Sequence, residues 1–186
     1  MNRLTIATMG VALLCAGEFT SAQRVKQQGH AIVEYSSPQV KAVAAYEYSR
    51  RNHSGSWLLV ELAIQATPRI AIERTQITLR TPDERNVPLA AQQEFLDDRE
   101  TLNQLLQNAS VWRRPLSPYF NVRLQPTIRF FSYPGRIVHD SFVSNPDEVA
   151  SGDLFFRSPD QRWVAGSYRL IVLHPDAKVE LPIELD

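Results

Sequence analysis

The sequence predicts an all-β fold, a β-sandwich with one inserted α-helix over about residues 97–109, and three observations carry that expectation. Apolar residues alternate with polar ones in short segments from residue 31 onward. Turn-forming residues separate these segments at regular intervals. A single stretch breaks the alternation with a helical stripe. Many short strands with frequent turns are the pattern of a sandwich.

Ala31 to Tyr35 is the first expected strand. Val40, Ala42, Ala44, Tyr46 and Tyr48 then alternate with Lys41, Glu47 and Ser49, the period-two signature of a half-buried strand. Arg51 to Gly55 is a polar turn. Trp57 to Ala66 follows, with Leu58, Val60, Leu62 and Ile64 on one face and Glu61 and Gln65 on the other. Ile70 to Ile72 and Thr75 to Leu79 continue the pattern, and a phase slip near Arg74 suggests a bulge. Thr81-Pro82-Asp83-Glu84 reads as a turn, because proline presets φ and aspartate bonds its own backbone. Pro88-Leu89 opens the next segment.

From Asp97 to Ala109, Leu102, Leu105, Leu106 and Ala109 recur at helical spacing. Asp97 is placed to cap this helix and Glu100 sits at its third position, as in a capping box. The helix is expected to lie in a long connection, its leucines packed on a sheet edge or closing one end of the core. Strands resume at Val122 to Leu124, Thr127 to Phe131, Gly135 to Val143, Asp153 to Arg157, Ser167 to Leu173 and Lys178 to Leu185. Asn145 to Glu148 is a turn between them. The last two strands flank His174-Pro175-Asp176-Ala177 as a hairpin, and Pro182, lacking an amide donor, places the final strand at a sheet edge. With no repeat and no long linker, residues 30–186 form one domain.

The N-terminus reads as an export signal. Met1-Asn2-Arg3 gives a positive start, Leu4 to Gly17 is apolar and uncharged, and Thr20-Ser21-Ala22 ends in small residues. Fourteen residues is short of the roughly 20 that span a bilayer. Residues 1–22 are therefore expected to be cleaved near Ala22, with 23–29 a polar leader, and the mature chain to be periplasmic or secreted without a transmembrane span. Leu14 before Cys15 argues against lipid attachment at that cysteine. Cys15 is the chain's single cysteine, so cleavage leaves no disulfide, thiol nucleophile or thiolate ligand.

Net charge is formally zero, which gives no field pointing to nucleic acid. Arginine outnumbers lysine 17 to 3, but dispersed along the chain. His30, His53, His139 and His174 stand in no metal-ligand spacing, and His139-Asp140, adjacent on a predicted strand, face opposite ways. There is no G-x-S-x-G, no S-x-x-K and no phosphate loop, and seven glycines are few for one. No metal and no cofactor is expected. Asp147, Glu148 and Asp153 flank a loop without the ligand offsets of a calcium site.

Aromatics cluster between residues 112 and 133. Trp112, Tyr119, Phe120 and Tyr133 are the candidate binding residues, in a segment stiffened by Pro115, Pro118, Pro126 and Pro134. The competing reading of the same rings is core packing.

The run Phe155-Phe156-Arg157-Ser158-Pro159-Asp160-Gln161-Arg162-Trp163-Val164-Ala165-Gly166-Ser167-Tyr168-Arg169-Leu170 resembles the closing strands of exported bacterial immunoglobulin-like β-sandwich proteins. That resemblance implies an immunoglobulin-like fold and an exported compartment, and carries no site residue. Together these readings point to a non-enzymatic interaction or structural module of the cell envelope, partnered by another envelope protein. The alternatives are a carbohydrate-binding module using residues 112–133, or a hydrolase whose two carboxylates converge from separate strands to within roughly 5–10 Å. A cleft holding two or more ionisable groups with strongly shifted pKa values would count against a non-enzymatic role.

Overall fold

The computed structural model describes residues 24–132, 137–174 and 177–186. The predicted signal peptide lies outside the described residues. The chain is mostly β, arranged in three sheets. No helix among the described residues is long and apolar enough to cross a membrane.

The first four strands, β1 (Arg24–Gln28), β2 (Ile32–Ser36), β3 (Val40–Ala45) and β4 (Trp57–Ala66), run as an antiparallel meander. Chain continuity then takes β5 (Ile70–Glu73), β6 (Ile77–Arg80) and β7 (Asn86–Pro88) away from that sheet. Two helices follow, after the short α1 (Glu47–Arg51) between β3 and β4: α2 (Gln92–Asp97) and α3 (Arg99–Ser110). The remaining strands are β8 (Leu124–Gln125), β9 (Ser141–Ser144), β10 (Val149–Arg157), β11 (Gly166–His174) and β12 (Ala177–Leu185). The six-stranded sheet has the order β1-β2-β3-β4-β10-β8, the four-stranded sheet β12-β11-β6-β7, and β5 pairs with β9.

The two larger sheets share one core. Ala42, Leu62 and Ile64 of the six-stranded sheet and Leu79, Leu170, Val172 and Leu181 of the four-stranded sheet are fully buried in a single cluster. Ile72 and Phe142 from the β5–β9 pair join it. Burying surface on this scale is what stabilises a chain with no disulfide, at about 25 cal/mol per Å² of apolar area.

Several elements depart from the sequence reading, each for a visible reason. Residues 24–28, expected as a polar leader, are strand β1, held by its ladder to β2 while its side chains stay largely exposed. The alternation through Ser49 ends at Ala45, and Glu47–Arg51 is helical. Ser49 explains the change, because its buried hydroxyl donates to Leu59 O at 2.8 Å and accepts from Leu59 N–H at 2.9 Å. The phase slip at Arg74 is a 3-10 turn (Arg74–Gln76) that carries the chain from β5 into a different sheet. There the Arg74 guanidinium donates to Phe130 O and Ala90 O and lies over the Phe131 ring at 4.6 Å. Thr127 to Phe131 is no strand. It follows β10 through one bond, Ile128 N–H to Ser151 O at 3.1 Å, after Pro126 ends the β8 ladder.

The helix expected over about 97–109 is α3, but it is not the single helix expected: α1 and α2 are helical too, and Asp98, with φ −110° and ψ 28°, separates α2 from α3. Asp98 and not Asp97 stands at the N-cap position, and its carboxylate serves side chains instead of backbone: it accepts from Trp57 Nε1 at 2.7 Å and Thr101 Oγ1 at 2.5 Å. The leucines pack neither on an edge nor at an end. With Phe95, Leu102 and Leu105 cover Trp57, Leu59 and Phe155 on the outer face of the six-stranded sheet.

The β11–β12 hairpin forms with the register Gly166↔Leu185 to His174↔Ala177, and β12, carrying Pro182, is a sheet edge as expected. Gly166 has φ +148°, and a Cβ there would stand 2.9 Å from Pro82 Cγ.

Gly152 on β10 lets the Ile128 backbone lie directly on the strand. A Cβ at Gly152 would come 2.3 Å from Ile128 O and 2.8 Å from Ile128 Cβ. Gly152→Ala should therefore destabilise the fold by about 1–3 kcal/mol, lowering Tm by roughly 2–4 °C per kcal/mol. Gly55→Ala, where a Cβ meets nothing within 4 Å, is the control and should leave Tm nearly unchanged. Thermal unfolding followed by circular dichroism checks both.

Candidate functional site

The outer face of the six-stranded sheet carries an acidic pair between two apolar patches. On β4 this face presents Trp57, Leu59, Glu61 and Ala63, and on β10 Val149, Ser151, Asp153 and Phe155, as strand alternation requires. The ladder sets Asp153 directly opposite Glu61. Like charges opposed across a ladder, with Cβ atoms about 4.5–5.5 Å apart, repel.

Toward one end of the pair lies the patch beneath α2 and α3. Toward the other, Ala63, Val43 and Val149 are covered by Leu116 and Phe120 from the segment after α3. That segment, residues 111–123, straps the sheet and includes a 3-10 turn at Ser117–Tyr119. Between α3 and these two anchors it lowers Arg113 onto the acids. Arg113 Nη2 lies 2.6 Å from Asp153 Oδ2, and Nη1 lies 3.8 Å from Glu61 Oε2.

The electrostatics follow from that position. Burial pushes the Glu61 carboxyl up to about 7, against the pull of Arg113 and with a further push from the Asp153 charge. Burial draws the Arg113 guanidinium down, but the Asp153 hydrogen bond and charge, with Glu61, outweigh it and raise it. Arg113 is thus the cation that lets two acids share one apolar surface.

Over this floor opens a cleft of about 980 Å³. Phe95, Leu106, Arg113 and Arg114 form one side. Leu124, Pro126, Ile128, Arg129 and Phe131 form the other. Phe131 is partly buried and packs edge-on against Phe155 at 5.1 Å and beside Phe95 at 5.4 Å. Chemically, the cleft offers an apolar body, a polar centre that exchanges a proton near neutrality, and arginines at its rim. An apolar pocket with a few convergent polar groups and a perturbed carboxyl is the usual form of a ligand site.

The candidate residues read from sequence do not assemble here as a group. Trp112 is 40% exposed, on the strap beside Arg113. Tyr119 is half-buried, and Phe120, 8% exposed, is an anchor of the strap with Lys41 over its ring at 5.5 Å. Tyr133 lies outside the described residues. Phe130 is fully buried in the shared core. No group of three or more His, Cys, Asp or Glu converges as a metal site among the described residues.

Glu61 and Arg113 were not singled out from the sequence, and Asp153 was weighed there only as an acid flanking a loop. One signal was present: Trp57-Leu58-Leu59-Val60 and Phe155-Phe156 are unbroken apolar runs, the mark of strands buried on both faces. A carboxylate at the outer-face position of such a strand is buried and needs a partner.

Because the folded Glu61 pKa lies above its ordinary value of 4.5, the folded state holds a proton that the unfolded state has released between those values. Stability contributed by that proton is present at low pH and lost as pH rises through about 7. Glu61→Gln should remove this slope, with the variant the more stable by about 1–3 kcal/mol at pH 8 and the difference vanishing near pH 4.5. Urea unfolding across that pH range measures it.

No protein-family model, curated protein or solved structure matches the chain, so the reading of this cleft rests on its own geometry.

Proposed function

We propose that the protein is an exported, non-enzymatic binding module of the cell envelope, built on an immunoglobulin-like β-sandwich, and that the outer-face cleft is its contact surface. The observation that carries the reading is the cleft itself: apolar walls around one polar centre, roofed by a strap and not by a second sheet. The pattern of a signal peptide in residues 1–22 supports export.

Strand order supports the immunoglobulin-like reading. The neighbours β3-β4-β10-β8 follow the A-B-E-D order of such domains, and β6-β11-β12 the C-F-G order. The Tyr168 hydroxyl donates to Val164 O at 2.9 Å, as in the tyrosine corner of these domains, with Trp163 packed edge-on against it at 5.7 Å. The pairing of β8 with β10 is parallel, where that order implies antiparallel.

A second reading has one specific observation behind it. Glu61, raised to about 7, beside Asp153 paired with Arg113, places two carboxylates side by side as paired-carboxylate hydrolases do. Arg113 spans both acids, however, and lines the same cleft through which a substrate would reach them. That favours binding over hydrolysis. The carbohydrate reading finds less support, since Trp112 is the one exposed ring of its three described candidates.

Leu106, partly buried on the cleft wall, lies outside the shared core. Affinity capture from the native envelope with the protein and with its Leu106→Glu variant tests the proposal. A partner retained by the first and lost by the second is the expected outcome. Identical captures would remove the cleft as the contact surface, and turnover of glycoside or ester substrates abolished by Glu61→Gln would replace binding with catalysis.

A further inference from the structure

The chemistry around the cleft narrows its occupant, given that it is a binding site at all. Its charged lining holds three arginines against two acids, and one of those acids, Glu61, is half neutral near pH 7. Arg113 is committed to the floor. Arg114 is 67% exposed, and its ion pair to Glu47 is long at 3.9 Å. Arg129 is exposed, donates from Nε to Pro126 O at 3.1 Å, and makes no ion pair among the described residues. Two cations at the rim of a greasy cleft are complementary to one anionic group.

Apart from the rim arginines, the described side chains of the walls are mostly apolar. Ser151 Oγ already donates to Gln125 O at 3.0 Å, and both floor carboxylates face Arg113. A peptide laid here would bury amides without partners, at a cost for each. Strand β8, of two residues, is too short an edge to pair with one. An alkyl chain makes no such demand.

We infer that the cleft takes a single-chain anionic amphiphile as a monomer, an acyl or alkyl chain ended by a carboxylate, sulfate or phosphate. The chain lies over Leu106, Phe131 and Phe155, and the head group between Arg114 and Arg129. This rests on the binding-module reading above and names its ligand class.

Titration calorimetry of the protein with laurate, dodecyl maltoside and dodecyltrimethylammonium, all below micelle formation, tests it. Laurate should bind one to one and at least tenfold more tightly than the cation. Decanoate, two methylenes shorter, should bind about tenfold more weakly than laurate. The double variant Arg114→Gln/Arg129→Gln, checked for native circular dichroism, should lose at least tenfold for laurate and change little for the maltoside. Laurate affinity should fall severalfold from pH 6 to pH 8, and Glu61→Gln should abolish that fall. Equal affinity for the three head groups, or laurate binding untouched by the arginine variant, overturns the inference. If laurate fails to bind while envelope capture still depends on Leu106, the ligand class is wrong and the binding-module reading survives.

Discussion

A β-sheet that is apolar on both faces must be covered twice, and the six-stranded sheet of this protein is such a sheet. Its inner face is met by the four-stranded sheet and forms the shared core. Its outer face, with Trp57, Leu59, Ala63 and Phe155 almost wholly buried, has no second sheet to meet. The chain covers it with the material between β7 and β8: α2, α3 and the strap. Everything distinctive about the molecule follows from that second covering. The helical insertion, the break at Asp98 and the anchoring of Leu116 and Phe120 all serve to keep Trp57, Leu59, Ala63 and Val149 dry.

The covering is interrupted where the sheet itself is not apolar. Glu61 and Asp153 face each other in mid-sheet, and no apolar roof could tolerate both ionised. Arg113 satisfies Asp153 closely and Glu61 more distantly, and burial lifts Glu61 toward neutrality. A charge pair leaning on one arginine adds little net stability of its own. Its effect is geometric. It holds the strap down at one point while leaving the space between α3 and residues 124–131 open, and that space is the cleft. Gly152 contributes from the other side by letting Ile128 settle onto β10.

The strands were legible in the sequence wherever alternation on at least one face and flanking turn residues marked them. Trp57–Ala66 and the final hairpin were read closely, because alternation and turn residues are local signals. Local signals misled where a partner distant in sequence decided the outcome. Ser49 left the strand pattern to bond Leu59, and Asp98, not Asp97, stands where the helix begins because Trp57 supplies it a donor. The cleft was not legible at all. Glu61, Arg113 and Asp153 are far apart in the chain and fall in no motif, so only the β4–β10 register and the path of the strap bring them together. The aromatic segment supplies the strap's anchor Phe120 as well as the exposed Trp112.

The claim on which this account turns is that Glu61 is a half-buried acid restrained by Arg113. Carbon-13 NMR titration of the Glu61 carboxyl, in the protein and in an Arg113→Met variant, tests it most directly. The account predicts a midpoint near 7 in the protein and a higher one in the variant, where the opposing cation is gone. A midpoint at the ordinary glutamate value near 4.5 in both would contradict it. The acid would then be solvated as in free water, and burial would not govern its charge.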